Sequence, residues 1–187
     1  NERSFFVKFI FRIHKSNIDM KKNILFILLF SSLLMCQDQI INITKRNITS
    51  LNGEWSIIID PYENGFYNYR YEESQWGYFK NAKPKSKSDL IEYDFDKSDK
   101  LKVPGDWNTQ RKDLFFYEGT VWYKKSFEYK RNPGTRVFIH FGAVNYNAKV
   151  YLNGVKLGEH TGGFTGFNFE ITSLLNNGDN FVIVKAD

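Results

Sequence analysis

Glu118 stands between Tyr117 and Gly119, just ahead of an alternating run that begins at Thr120. A carboxylate in such a loop can face a cavity, where it would accept hydrogen bonds or move a proton. A turn or structural role is the simpler reading of the same residue. Trp107 and Tyr117 also lie on loops. Flat aromatic rings there can stack on the apolar C–H faces of a sugar, although for any single aromatic of this chain core packing outweighs sugar contact. Trp55 and Trp122 fall in strand-like sequence and read as core or inter-domain packing. The remaining combinations are weaker. His14, His140 and His160 lack metal-ligand spacing, and His140 points outward from a strand. Glu72 and Glu73 sit in loop-like sequence, where solvation accounts for them. No G-x-S-x-G, P-loop or dinucleotide-binding pattern occurs. The residues thus offer no catalytic set, no metal site and no cofactor site. What remains is a candidate substrate-proximal trio, Trp107, Tyr117 and Glu118.

The elements that must position this trio read as short strands. Asn147 to Asn153 alternates, with Ala148, Val150 and Leu152 on one face and Asn147, Lys149, Tyr151 and Asn153 on the other. Asn153-Gly154 supplies the two positive φ angles of a type I′ turn, and the chain returns from Val155 to His160. Gly162, Gly163 and Gly166 let the next loop bend, and Phe167, Phe169 and Ile171 form a new buried face. Thr120 to Tyr129 puts Val121, Tyr123, Phe127 and Tyr129 on one side. Strands are also predicted at Ser56–Ile59, Arg136–Phe141 and Phe181–Ala186. The run Val103-Pro104-Gly105-Asp106-Trp107-Asn108 reads as a turn with an aromatic anchor, and Thr172–Leu175 as one helical turn capped by Thr172 or Ser173. Residues 61–100 are mixed, with a lysine-rich solvated loop over Lys80–Lys87. Many short strands separated by turn signals predict an all-β sandwich or barrel.

The chain has 187 residues, enough for one domain with a real core, and aromatics make up 18% of it, which suits strands. Its net charge of +5 is unevenly spread: residues 1–22 hold six basic and two acidic side chains, a net of +4, leaving +1 for the rest. That near-neutral remainder excludes nucleic acid as a partner. Met20-Lys21-Lys22 followed by the apolar run Ile24–Met35 reads as an export signal, too short to span a membrane at about twenty residues. Cys36 ends the run and is the only cysteine. It is either the acylated residue of a bacterial lipoprotein or lost by ordinary cleavage nearby. Both routes export the protein, to the periplasm, the outer membrane or the medium, and contact with a membrane is expected only through the signal or a lipid anchor. The chain divides into an upstream, non-native extension (1–19), the signal (20–36), a leader (37–50) with sequons at Asn42 and Asn47, and the sandwich (51–187). The strand pattern that runs to Asp187 suggests a fragment of something longer.

Four motifs in order carry a family resemblance: Leu51-Asn52-Gly53-Glu54-Trp55, Val103-Pro104-Gly105-Asp106-Trp107, Tyr117-Glu118-Gly119-Thr120-Val121-Trp122-Tyr123, and the stretch Phe141–Ile171 with its His160-Thr161-Gly162-Gly163-Phe164. Over residues 51–187 the chain resembles the N-terminal sugar-binding domain of family 2 glycoside hydrolases, most of all the β-glucuronidases and β-galactosidases. The resemblance implies a jelly-roll antiparallel β-sandwich, truncated before an immunoglobulin-like domain and a (β/α)₈ barrel. It implies that the two glutamates of retaining hydrolysis lie on that barrel, so the fragment alone would be inactive and would need no cofactor. It further implies a β-glycoside substrate bound jointly with the barrel, and a possible homo-oligomer. In some members the loop matching Tyr117-Glu118-Gly119 approaches the active site, and the position of Gly119 can be asparagine; here that side chain is absent. A free-standing carbohydrate-binding module and a lipid-anchored structural surface protein are the competing readings.

Overall fold

The computed structural model describes residues 46–63, 65, 70 and 94–187. The export signal with Cys36, His14, Asn42, the Glu72-Glu73 pair and the Lys80–Lys87 loop lie outside the described residues. The description concerns the unit Gln39–Asp187.

Eight strands follow in order: β1 (Gly53–Asp60), β2 (Lys100–Val103), β3 (Thr120–Tyr129), β4 (Phe138–Phe141), β5 (Asn147–Leu152), β6 (Val155–Thr161), β7 (Phe167–Glu170) and β8 (Gly178–Ala186). Six form an antiparallel sheet in the order β2-β1-β3-β8-β5-β6, and β4 pairs with β7 in a second, two-stranded sheet. The architecture is an all-β antiparallel sandwich of the jelly-roll kind. Alternation explains the main core: Val121, Tyr123, Ala148, Val150, Leu152, Val182 and Val184 point inward from the large sheet and meet Ile139, Phe167 and Phe169 from the small one. Val121, Val150, Leu152 and Val182 are fully buried; each such side chain stabilises the fold by about 1.5–3 kcal/mol.

The opposite face of the large sheet differs from the simple alternation predicted for it. Tyr151 is buried there, in a second cluster with Ile58, Phe95, Trp122 and Ile183. The middle of the sheet is therefore covered on both sides, which is why β1 and β8 read as nearly continuous apolar runs.

The predicted hairpin is present. Asn153 has φ 51° and Gly154 φ 85°, the left-handed pair a type I′ turn demands. Three readings of local structure need correction. β2 went unpredicted, lying between the mixed stretch that ends at Lys100 and the turn read from Val103, because four residues carry too short an alternation to register. Trp107 does not sit in a turn but opens a one-turn helix, α1 (Trp107–Gln110). Thr172–Leu175 is a hydrogen-bonded turn, with the Leu174 and Leu175 N–H groups both donating to the Ile171 carbonyl. Thr172 caps another element instead: its Oγ1 accepts from the Val137 N–H at 2.9 Å.

Candidate functional site

The trio predicted from sequence lies in the segment that joins β2 to β3. Asp106 begins it as the cap of α1, its carboxylate accepting from the Thr109 N–H and the Thr109 hydroxyl, both at 2.8 Å. Those bonds hold the Asp106 carboxyl below the usual carboxylate range. Gln110 ties the helix to the edge strand: its Oε1 accepts from the Lys102 N–H at 2.8 Å and its Nε2 donates to the Lys102 carbonyl at 3.0 Å. A Cβ on Gly105 would stand 2.6 Å from that Nε2, so the glycine makes room for the tether. Each residue of the V-P-G-D-W motif after the proline thus has a local structural task.

Trp107 and Tyr117 meet edge to face, ring centroids 6.3 Å apart at 64°, a favoured aromatic geometry. The Trp107 Nε1 donates to the Tyr117 carbonyl at 3.1 Å, and the Tyr117 hydroxyl donates to the Thr120 carbonyl at 2.9 Å. Both rings pack in part against the main core. Asn108 completes the framework, its Nδ2 reaching the carbonyls of Leu114 (2.7 Å), Phe115 (3.1 Å) and Tyr117 (3.2 Å). The structure therefore brings Trp107 and Tyr117 together and leaves Glu118 beside them, exposed. Gly119 has φ 139°, and a Cβ there would lie 3.1 Å from the Tyr117 hydroxyl.

The sequence reading passed over the large aromatics that reach solvent. Phe115 and Phe116 are 57% and 90% exposed and stack edge to face 4.7 Å apart. Phe164, in the glycine loop after β6, is 97% exposed. A run of three aromatics, Phe115-Phe116-Tyr117, between a polar helix and a strand was the available signal: three consecutive rings cannot all face one core.

Two charged groupings flank this end of the sheet. Asp60 is fully buried, and its Oδ2 accepts from the Trp122 Nε1 at 2.9 Å and the Gly65 N–H at 3.1 Å. Beside it the Glu63 carboxylate pairs with the Lys185 ammonium and accepts from the Thr120 hydroxyl. Burial by itself would raise the Glu63 carboxyl, but the hydrogen bond and charge of Lys185, then Thr120 and Lys149, hold it below the usual range. A shallow polar cleft of about 210 Å³ opens here among Glu63, Asn147, Lys149, Glu159, Thr161 and Lys185. A larger cleft, about 380 Å³, lies at the other end of the sandwich between Tyr129, Arg131, Pro133 and Leu175 and contains none of the candidate trio. Among the described residues no three His, Cys, Asp or Glu side chains gather closely enough to hold a metal ion.

The His160–Phe167 segment is equally ordered by packing. His160 stacks on Phe167 at 4.2 Å, its Nε2 lies 3.0 Å from the Thr165 hydroxyl, and Phe167 stacks on Phe141 at 4.9 Å. His140 is exposed, as expected, with its ring carbon under Gly166.

Comparison with known proteins follows the same outline. Residues 48–186 match the model of the glycosyl hydrolases family 2 sugar binding domain. A β-galactosidase of Thermoanaerobacter pseudethanolicus is 37% identical over 112 residues, covering 56% of this chain and 15% of that enzyme. A β-glucuronidase of Formosa agariphila is 44% identical over 73 residues, covering 38% of this chain and 7% of the enzyme. The solved β-glucuronidase of an uncultured Clostridium sp. superposes with a TM-score of 0.57 at 29% identity, covering 75% of this chain and 22% of its own. The chain thus spans less than a quarter of the length of the enzymes it matches. On its sandwich, its four ordered motifs and this match, the chain belongs to glycosyl hydrolase family 2 through its sugar binding domain.

Proposed function

We propose that this chain is the sugar-binding part of an exported retaining β-glycosidase of the β-glucuronidase or β-galactosidase type, acting in carbohydrate catabolism. The observation that carries the reading is the family match over 48–186, coinciding with a folded sandwich whose motif residues do structural work. The names of the relatives support a β-glycoside substrate. The n-region at Met20-Lys21-Lys22 and the apolar run after it support export. Two carboxylates on a separate catalytic domain perform the hydrolysis, one as acid/base and one as nucleophile. The described part contributes a wall: Trp107 and Tyr117 set the loop, and Glu118 reaches the rim of the pocket as a hydrogen-bond acceptor for sugar hydroxyls.

The test is turnover of an aryl β-glucuronide and an aryl β-galactoside by the full-length gene product and by residues 37–187 alone. The reading expects hydrolysis of one of them by the full-length product and none by the shorter chain. An inert full-length product, or turnover by residues 37–187, would sink the proposed division of labour.

A further inference from the structure

The larger of the two clefts, about 380 Å³, opens at the end of the sandwich away from Trp107, Tyr117 and Glu118. It lies where β3 ends and β8 begins, beside the Asn132-Pro133-Gly134 turn. Its volume falls within the range of about 300–1,000 Å³ usual for small-molecule sites. Val137, Leu175 and the half-buried ring of Tyr129 supply its apolar lining. Tyr129 faces Gly178 across the two strands, and a Cβ at Gly178 would meet no atom within 4 Å. The position opposite the ring thus carries no side chain that could cover it.

Hydrogen bonds fix the walls of the cleft. The Arg131 N–H donates to the Asn177 Oδ1 at 3.1 Å, joining the turn after β3 to the turn before β8. The Thr172 Oγ1 accepts from the Val137 N–H at 2.9 Å, and the Ile171 N–H donates to the Val137 carbonyl at 2.8 Å. The Thr135 hydroxyl and N–H both donate to the Asn132 carbonyl, at 2.7 and 3.3 Å. Walls held in this way need little ordering when a ligand enters.

These bonds leave a polar set over. Among the described residues the Tyr129 hydroxyl, the Arg131 guanidinium and the Asn132 side-chain amide have no hydrogen-bond or ion-pair partner. Arg131 is exposed, and among the residues lining the cleft it alone carries a charge. The nearest carboxylate, Glu170, accepts from the Thr172 hydroxyl at 2.9 Å and is already paired with Arg136 at 2.7 Å. An unopposed guanidinium favours a planar anion, which it grips through two parallel N–H donors. A half-buried ring favours a flat apolar C–H face, and an amide and a phenol pair with hydroxyls. The pyranose of a uronic acid presents all three features.

We propose that this cleft binds the terminal uronic acid of a glycan, with the carboxylate on Arg131 and the sugar ring against Tyr129. The inference rests on the reading above that the domain serves a β-glycosidase. No carboxylate lines the cleft, so it supplies neither the acid/base nor the nucleophile of glycoside hydrolysis. It holds one end of an acidic glycan at the protein, which raises the effective concentration of that glycan's other ends.

Photolabelling of the full-length product tests this. The probe is a diazirine-bearing S-linked β-D-glucuronide, which resists hydrolysis. Its control is the β-D-glucoside counterpart, identical except for the carboxylate. Peptide mass spectrometry should place the glucuronide label on residues 129–135 or 172–175, with about tenfold less label from the glucoside. Arg131→Ala should lower the glucuronide label by a similar factor. Arg131→Lys, which keeps the charge and loses the fork, should fall between Arg131→Ala and wild type. Both variants should melt with wild type, because the side chain is exposed. Absence of label from both segments overturns the inference, as does equal labelling by the glucoside or full labelling of Arg131→Ala. So does displacement of the probe by sodium acetate as readily as by free glucuronic acid, which assigns the cleft to a simple anion. Hydrolysis of aryl β-glycosides by wild type is scored separately. A labelled cleft in an inert product sinks the proposed function alone, and an unlabelled cleft in an active product sinks this site alone.

Discussion

The indole nitrogen of Trp122 donates to the carboxylate of Asp60 at 2.9 Å, and both residues are fully buried, 62 positions apart in the chain. The bond ties β3 to the end of β1 on the face away from the main core. The same oxygen also accepts from the Gly65 N–H at 3.1 Å. Asp60→Ala strands two donors, each costing about 1–3 kcal/mol when left buried and unpaired. Urea unfolding should show a loss of about 2–4 kcal/mol for that variant, and a smaller one for Asp60→Asn, which keeps an acceptor. Equal losses for the two would show that shape, not the hydrogen bond, matters there.

Asn153 does more than turn the hairpin. Its Nδ2 donates to the Leu174 carbonyl at 2.9 Å and to the Asn180 Oδ1 at 2.8 Å, and its Oδ1 accepts from the Phe181 N–H at 3.0 Å. Asn153→Gly keeps the positive φ and loses these bonds, for about 1–2 kcal/mol. Asn153→Ala loses both and should be worse. Combined with Gly154→Val, which sets a β-branched residue at φ 85°, it should bring the largest fall in melting temperature of the series. If Asn153→Gly melts like the parent protein, the side-chain network contributes nothing measurable.

The Glu63–Lys185 pair predicts an acid-sensitive contribution to stability. The folded Glu63 carboxyl lies below its ordinary value of 4.5. The contribution is therefore present above pH 4.5 and is lost as pH falls through the lower folded value. Wild type should be more stable than Glu63→Gln at pH 6, and the gap should narrow by pH 3. Denaturant midpoints at the two pH values measure it; a gap that stays constant excludes the ionised pair as its source.

Gly158 sits where the β5–β6 register shifts, between Val150 and Tyr151. A Cβ there would stand 2.6 Å from the Phe169 ring. Gly158→Ala should cost about 1–3 kcal/mol by overpacking. Adding Phe169→Leu makes space, so the double variant should lose less than the two single changes summed. Strict additivity, read from chemical denaturation, would falsify the contact as the cause.

Much of the fold was legible along the chain. The alternation of Thr120–Tyr129 and Asn147–Leu152 and the Asn153-Gly154 turn are signals written within a few residues, and the structure reproduces them. Tyr151 was placed on a polar outer face because period-two patterning cannot tell which second layer will cover a strand. The candidate trio was found as loop residues, and its geometry was not. Nothing local states that the Trp107 nitrogen reaches the Tyr117 carbonyl, ten residues on.

The sequence by itself determined the strand segments, the hairpin and, through four ordered motifs, the family. Side-chain alternation and left-handed φ preferences are decided by neighbours within one element, so they survive in a linear reading. Only the tertiary structure decided that Glu63 meets Lys185, 122 residues away, and that Tyr151 is buried with Ile183 and Trp122. Both follow from β8 entering the sheet between β3 and β5. That placement is set by the packing of the whole core, and it brings together residues whose types say nothing of each other in sequence.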